Sequence, residues 1–272
     1  MGPPLYADLG KQARDIFSKG YHFDLIKLDI KTKTPTGVEF ATGGTSQIES
    51  GKVFGTIESK YKFKDYGKAL STSMFTFSEK WNTNNVLSTE LSLTDFFPGT
   101  KISADCSFAP QTSEKSARVK SQFVNQLVAI NAEAEFKAPL PLVSLAAVLG
   151  HKGKAQLFVN NKLKSNKLSL AKILKFSEFG SSIYQKVSPK LEIGVDLACF
   201  TENNDTKLGI GLKYNLENNA ALKAKVDNQS RIGLGYSQTI SPGVTIYLST
   251  QLDGQNFNQG GHKLGFALDF DL

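Results

Sequence analysis

The sequence predicts an all-β transmembrane barrel of mostly antiparallel strands, preceded by one short amphipathic helix. Three observations predict it. From residue 23 to the C-terminus, apolar and polar residues alternate with period two in segments of about 8–11 residues separated by turn residues. The polar face of those segments is charged almost throughout, which a packed core does not tolerate and a water-filled lumen accepts. The chain also lacks any run of about 18 consecutive apolar residues, so no transmembrane helix is encoded and a bilayer would be crossed by strands.

Residues 1–20 read as a separate N-terminal segment and residues 21–272 as the barrel. Pro3 and Pro4 precede residues 5–19, where Leu9, Ala13, Ile16 and Phe17 recur at helical spacing and Lys11 and Arg14 flank the other side. The spacing predicts one helix over 5–19, ended by Gly20, a residue favoured just past a helix C-terminus. Gly10 weakens the run, because glycine costs about 1 kcal/mol against alanine in a helix interior. So short a helix is marginal alone in water and needs a surface to lie on.

The strands follow in order. Ile26, Leu28 and Ile30 face one way, and Lys27, Asp29, Lys31 and Lys33 the other. Thr36-Gly37 turns the chain, and Val38 and Phe40 resume the apolar face. Val53, Ile57, Tyr61 and Phe63 alternate with Thr56, Glu58, Lys60 and Lys62, and Ile102, Ala104, Cys106 and Phe108 repeat the pattern. The C-terminal third is the most regular. Leu191, Ile193, Val195 and Leu197 oppose Glu192 and Asp196; Leu208, Ile210 and Leu212 oppose Lys207 and Lys213; Leu222 and Ala224 oppose Lys223 and Lys225. Ile232 and Leu234 oppose Arg231, and Leu264, Phe266, Leu268 and Phe270 close the chain against Lys263 and Asp269. Short Pro-Gly and Asn/Asp turns, such as Pro98-Gly99, 202–205 and Pro242-Gly243, imply an antiparallel meander of about 18 strands. Residues 167–176 fit helix and strand equally.

So many strands of similar length leave no free edges only if the sheet closes on itself, and a barrel this wide is too large for side chains to fill. Its apolar stripe then faces outward, which lipid requires and water penalises. On the strands just described the polar face holds eleven bases (Lys27, Lys31, Lys33, Lys60, Lys62, Lys207, Lys213, Lys223, Lys225, Arg231 and Lys263) against five acids (Asp29, Glu58, Glu192, Asp196 and Asp269). A basic aqueous path between low-dielectric walls favours small anions.

Other classes fit less well. The formal net charge of +7 suits a nucleic-acid partner, but the bases follow strand alternation and are not interleaved with aromatics on one face. A soluble lipid-carrying barrel or sandwich would also alternate, though its inward face would be apolar. Two cysteines, Cys106 and Cys199, make no disulfide framework. His22, His151 and His262 have no acidic or thiol neighbours at ligand spacing, so no metal or other cofactor is expected. No nucleophile, base and orienting group can be assembled, so no enzyme is expected either. The first residues have no hydrophobic signal-peptide core, which argues against secretory export.

Several blocks carry a family likeness. Pro3-Pro4-Leu5-Tyr6-Ala7-Asp8-Leu9-Gly10-Lys11 opens the chain, Gly20-Tyr21 runs into Ile26-Lys27-Leu28-Asp29, and Phe77-Ser78-Glu79-Lys80-Trp81-Asn82-Thr83 follows. Gly180-Ser181-Ser182-Ile183-Tyr184-Gln185-Lys186, Lys225-Val226-Asp227-Asn228, Ile232-Gly233-Leu234-Gly235-Tyr236 and Gly261-His262-Lys263-Leu264-Gly265 complete the set. End to end the chain resembles the voltage-dependent anion channels, or porins, of the mitochondrial outer membrane. The resemblance implies a voltage-dependent, weakly anion-selective channel in that membrane, passing ATP, ADP, phosphate and small organic anions. It further implies a helix lying inside the pore, self-association, and hexokinase and Bcl-2-type partners with a bearing on apoptosis. Membrane lipids are the remaining partner, and no nucleic-acid specificity is expected.

Two departures stand out: residues 68–74 look like an insertion, and residues 151–178 are shorter than the family's by about a strand and its turn. The expected fold is therefore a barrel of about 18–19 strands, between the count here and the family's 19. An even count of 18 would set the first and last strands antiparallel.

The candidate site residues follow from alternation and likeness together. Lys27, Lys31, Lys60, Lys223, Lys225 and Arg231 are expected to line the pore. By resemblance Lys11, Arg14 and Lys19 contact nucleotides at the constriction, with Asp15 pairing one of them, and Gly20-Tyr21 offers a hinge. Gly233-Leu234-Gly235 is followed by strand rather than helix and reads as close strand packing, not as a phosphate loop. Trp81 falls on the outward face and Tyr247 on the lumen face. Glu79 shares a face with Phe75, Phe77 and Trp81, which aims a carboxylate at lipid, the position the resemblance also implies for it.

Overall fold

The protein is described by a computed structural model covering residues 3–63, 74–137, 141–151, 154–164, 178–200, 205–258 and 260–272. Most of the 68–74 insertion, the 167–176 segment, and the turn expected at 202–205 except its last residue lie outside the described residues. A 3-10 turn at Tyr6–Asp8 and a helix, α1, at Lys11–Ser18 come first. Then come β1 (Leu25–Lys33), β2 (Val38–Gln47), β3 (Val53–Phe63), β4 (Met74–Asn82), β5 (Leu87–Thr94) and β6 (Thr100–Ala109). These are followed by β7 (Glu114–Val124), β8 (Val128–Phe136), β9 (Leu142–His151), β10 (Lys154–Lys164), β11 (Glu178–Lys186) and β12 (Leu191–Phe200). Last come β13 (Asp205–Asn215), β14 (Ala220–Asp227), β15 (Arg231–Ser241), β16 (Val244–Asp253) and β17 (Lys263–Asp271).

The described strands form a 17-stranded sheet. Successive strands from β3 to β10, and again from β11 to β17, pair antiparallel, as the short turns predicted. Among the pairings described, the parallel one joins β1 to β17, the first and last strands. Ile26 lies opposite Phe266 and Lys31 opposite Asp271. This corrects the even count of 18. Direction alternates along a meander, so first and last strands run the same way only when the count is odd. Seventeen described strands satisfy that condition.

Two compact units make up the chain. One contains residues 1–9, 33–41 and 56–175, and the other residues 10–32, 42–55 and 176–272. Among the described residues neither has a conventional apolar core. Ile16 and Val148 are the largest side chains fully buried among the described residues, whereas Ile57, Trp81, Leu91, Ile102, Ile210, Leu234 and Leu248 are all exposed. In water such a surface would be an aggregation liability; against acyl chains it is the stable arrangement. The alternation is therefore inside-out relative to a soluble sheet.

The helix differs from the expected 5–19 run. It is shorter and divided, because Gly10 adopts φ +65°, a left-handed conformation that no helix continues through. Its C-terminus falls at Ser18, with Lys19 already extended at φ −72° and ψ 136°.

Candidate functional site

In the second unit α1 packs on β12, with further contacts to β11, β13 and β14. Why it fits there is legible in three glycines. A Cβ at Gly194 would stand 3.2 Å from Ile16 Cδ1, one at Gly209 3.2 Å from Phe17 Cε1, and one at Gly211 2.9 Å from Ile16 Cγ2. Gly194 lies opposite Gly211 in the β12–β13 register, so the floor is flat across two strands. Ala13 and Ile16 are buried against it. These glycines alternate with Glu192, Asp196, Lys207 and Lys213, so the helix lies on the polar face of the sheet.

Two lysines of β14 hold the C-terminal end. Lys225 Nζ donates to the Phe17 carbonyl at 2.6 Å, and Lys223 Nζ to the Lys19 carbonyl at 2.9 Å. Helix-end carbonyls have no intrahelical donor and carry the negative end of the dipole, so an ammonium is the favoured partner. Lys225 also sits 4.3 Å from the centroid of the Tyr21 ring and 5.1 Å from that of Phe23.

The linker at 20–24 is tied down as firmly. Gly233 leaves room for Phe23 and Lys225, and Gly235 for Tyr21; a Cβ at Gly265 would collide with the His22 carbonyl oxygen. The His22 N–H donates to Ser249 Oγ at 2.9 Å, and the Asp24 N–H to the Leu264 carbonyl at 2.8 Å. Asp24, buried and at φ 62°, accepts from Gln47 Nε2 and from the Glu49 N–H, each at 3.0 Å. Burial pushes the Tyr21 phenol up; burial first and then the Lys27 ammonium hold the His22 imidazole below its usual range. The Gly233-Leu234-Gly235 element is thus a seat for linker aromatics as well as a strand-packing element. Gly20-Tyr21, read from the sequence as a hinge, lies in segment 20–24, which makes contacts with β14, β15, β16 and β17.

The candidate residues fall in several places. Lys11 and Arg14 are exposed on α1, while Asp15 and Lys19 pair with each other at 2.6 Å. Lys27 pairs with Asp29, and Lys31 lies two residues further along the same face of β1. Arg231 sits at the start of β15 and holds Asp227 at 2.7 Å. Lys223 and Lys225 adjoin the helix end, as described. Tyr247 is on the same face, its ring 5.5 Å from that of His22. Among the described residues, then, the helix end brings together Asp15, Lys19, Lys223 and Lys225, and the Arg231–Asp227 pair lies within electrostatic reach of Lys225. The sequence reading missed the glycine floor and Asp24, although Gly194, Gly209 and Gly211 at every second position of neighbouring strands were a usable signal.

In the first unit Lys60 shares a polar concavity with Glu58, Lys62, Ser78, Glu90 and Lys101. Acids are more frequent here than the quoted strands suggested. Lys62 bonds Glu39 at 2.7 Å, Lys120 bonds Asp105 at 2.9 Å, and Arg118 meets Glu133 at 3.1 Å and Glu135 at 3.4 Å. Glu79 lies on the opposite face, opposite Ser59 on β3 and Thr89 on β5, and it is exposed. Trp81 shares that face and donates its indole N–H to Asn85 Oδ1 at 3.2 Å. Near the N-terminus the 3-10 turn contacts β8 and β9, where Ala129 and Val148 are buried.

Removing the Lys225 ammonium with Lys225→Met should leave the sheet intact and loosen the linker. The lost charge-assisted bond and cation–π contact are together worth about 2 kcal/mol. Amide exchange over residues 17–24 should accelerate by at least tenfold, with partial rescue by Lys225→Arg. Unchanged protection would mean that this lysine does not hold the helix end.

The chain matches the family described as Eukaryotic porin over residues 2–157 and 154–265. It is 46% identical over 286 residues to the non-selective voltage-gated ion channel VDAC2 of Xenopus laevis, covering 99% of each chain. It is 44% identical over 288 residues to the voltage-dependent anion-selective channel of Drosophila melanogaster, with 100% of both covered. Against the human non-selective voltage-gated ion channel VDAC1 the identity is 42% over 285 residues and 98% of each chain.

Proposed function

The chain belongs to the eukaryotic porin family of membrane β-barrel channels, and from that membership we infer a voltage-dependent, weakly anion-selective channel passing ATP, ADP, phosphate and small organic anions across the mitochondrial outer membrane. The observation that carries this reading is a helix seated on the charged face of the sheet, with Lys11 and Arg14 exposed on it and its C-terminal end, at Lys19, held by Lys223 and Lys225. A permeating phosphate meets fixed positive charge there, along an aqueous path whose low-dielectric walls focus the field. The Lys223 and Lys225 ammoniums bond carbonyls rather than carboxylates in the helix contact, so those bonds do not cancel their charge.

Ion pairing within each unit supports weak rather than strong selectivity. Lys19, Lys27, Lys213, Arg118 and Lys120 each have a carboxylate partner, so much of the basic excess is neutralised locally. Self-association, hexokinase and Bcl-2-type partners belong to the reading through the family likeness.

In a planar bilayer under a KCl gradient, the reversal potential is expected to take the sign for chloride over potassium. Replacing Lys11, Arg14 and Lys19 together by glutamate moves six charges in the negative direction and should abolish or invert that preference, cutting ATP flux more than the flux of an uncharged solute. A cation-selective unmodified channel would sink the reading.

A further inference from the structure

The β5–β6 turn carries two phenylalanines that nothing in the fold requires. Phe96 and Phe97 are 48% and 62% exposed and touch each other edge to face, ring centroids 4.8 Å apart. The turn itself is made by other groups. Asp95 takes φ 59° and Gly99 φ 80°, the Asp95 N–H donates to the Thr100 carbonyl, and Thr100 Oγ1 both accepts from the Phe97 N–H at 3.0 Å and donates to its carbonyl at 2.7 Å. A polar pair would serve that backbone equally well. The two rings are therefore held outward on a rigid tip.

The neighbouring β7–β8 turn extends the patch. The Val124 N–H donates to the Gly99 carbonyl at 2.8 Å, which ties the two tips together, and Leu127 is 65% exposed. Both tips continue the apolar face, because Leu93 lies opposite Ile102 and Thr100 opposite Phe123 at the strand ends below them. The opposite ends of the same strands differ sharply. The β4–β5 turn has Thr83, Asn84 and Asn85, and the β6–β7 turn has Gln111, Thr112 and Ser113. At that end the large exposed apolar side chains, Trp81, Phe108 and Phe136, stand on the strands, whereas Phe96, Phe97 and Leu127 stand in the turns themselves.

We propose that Phe96, Phe97 and Leu127 form a membrane-interface foot, inserted at the boundary between headgroups and acyl chains of the bilayer that the apolar face already contacts. The inference rests on the membrane reading of the family and extends it to a lipid-binding surface at one end. Strands of 8–10 residues, tilted, span little more than the hydrocarbon layer, so a tip just past their ends falls at the interface. Exposed aromatic and leucine side chains are stabilised at that depth, where apolar faces of surface-bound segments also settle. The continuity of the patch with the lipid face favours this occupant over a soluble partner.

Trp81 is the chain's only tryptophan, which makes the test direct. The unmodified protein and a Trp81→Phe/Phe97→Trp variant are reconstituted in phosphatidylcholine vesicles brominated either near the headgroup or deep in the acyl chain. Quenching of Trp81 reports membrane residence itself; if neither lipid quenches it, the membrane reading fails. With Trp81 quenched, the indole of Phe97→Trp should emit to the blue of its position in water and be quenched more by shallow than by deep bromine. Emission of a fully hydrated indole, untouched by either lipid, would overturn the foot alone. So would deeper quenching by acyl-chain bromine, or shielding from water-soluble quenchers without any bromine quenching, which would mean a protein covers the tip.

Discussion

Replacing Gly211 by valine should drive α1 off the sheet. The new Cβ alone would lie 2.9 Å from Ile16 Cγ2 and 3.0 Å from Phe17 Cε1, and both neighbours belong to the face that buries the helix. Overpacking of this kind costs about 1–3 kcal/mol, comparable with the roughly 1.5–3 kcal/mol gained by burying an isoleucine. A helix of eight residues has little stability of its own, so losing the floor means losing the helix. Amides of residues 12–18 should exchange at least tenfold faster, and trypsin should cut after Lys11, Arg14 or Lys19 while the strand signal in circular dichroism stays unchanged. Gly44→Ala is the control, since nothing stands within 4 Å of a Cβ there. If the protection of α1 survives Gly211→Val, the helix does not depend on this floor. If voltage closure also survives the loss of the docked helix, closure does not require its motion.

How much of this was readable in advance depends on range. Period two is a local property, so the strands, their faces and the outward apolar stripe could be read residue by residue, from Ile26 and Lys27 at one end to Leu268 and Asp269 at the other. Long-range pairing was not local. The parallel seam between Ile26 and Phe266 depends on the parity of the whole count, and a single strand misjudged anywhere reverses it. Helix boundaries failed for another reason. The apolar spacing of Leu9, Ala13 and Ile16 runs straight through Gly10, and only the backbone conformation there shows that the run is cut. Lys223 and Lys225 looked like unencumbered pore bases, because alternation gives a side chain's face and not its partner. The carbonyls they hold lie about 200 residues away in sequence, at |i−j| of 204 and 208.

Glu79→Gln is expected to stabilise the protein while leaving permeation almost unaltered. The register puts Glu79 on the face of Ile57, Tyr61, Phe77, Trp81 and Leu91, away from Glu58, Ser78 and Lys80. That arrangement preserves the face read from the sequence, since a one-residue slip would have exchanged the two sets. Glu79 also lies in a narrow polar row that the sequence did not reveal: Ser59, Glu79, Thr89 and Cys106 are successive cross-strand neighbours on four strands. Flanking hydroxyls moderate the environment of the carboxylate but carry no compensating charge. On the proposed reading this face meets hydrocarbon, where an acidic side chain costs about 1–2 kcal/mol, less than a basic one at the same depth. Glutamine keeps the shape and removes the charge, so the variant should resist unfolding in lipid by about that amount. Conductance and reversal potential should stay within error, self-association should change, and labelling by a hydrophobic carbodiimide should disappear. Persistent labelling would locate the reactive carboxylate elsewhere. A large shift in selectivity would place Glu79 on the aqueous side and contradict the register of β4 against β3 and β5.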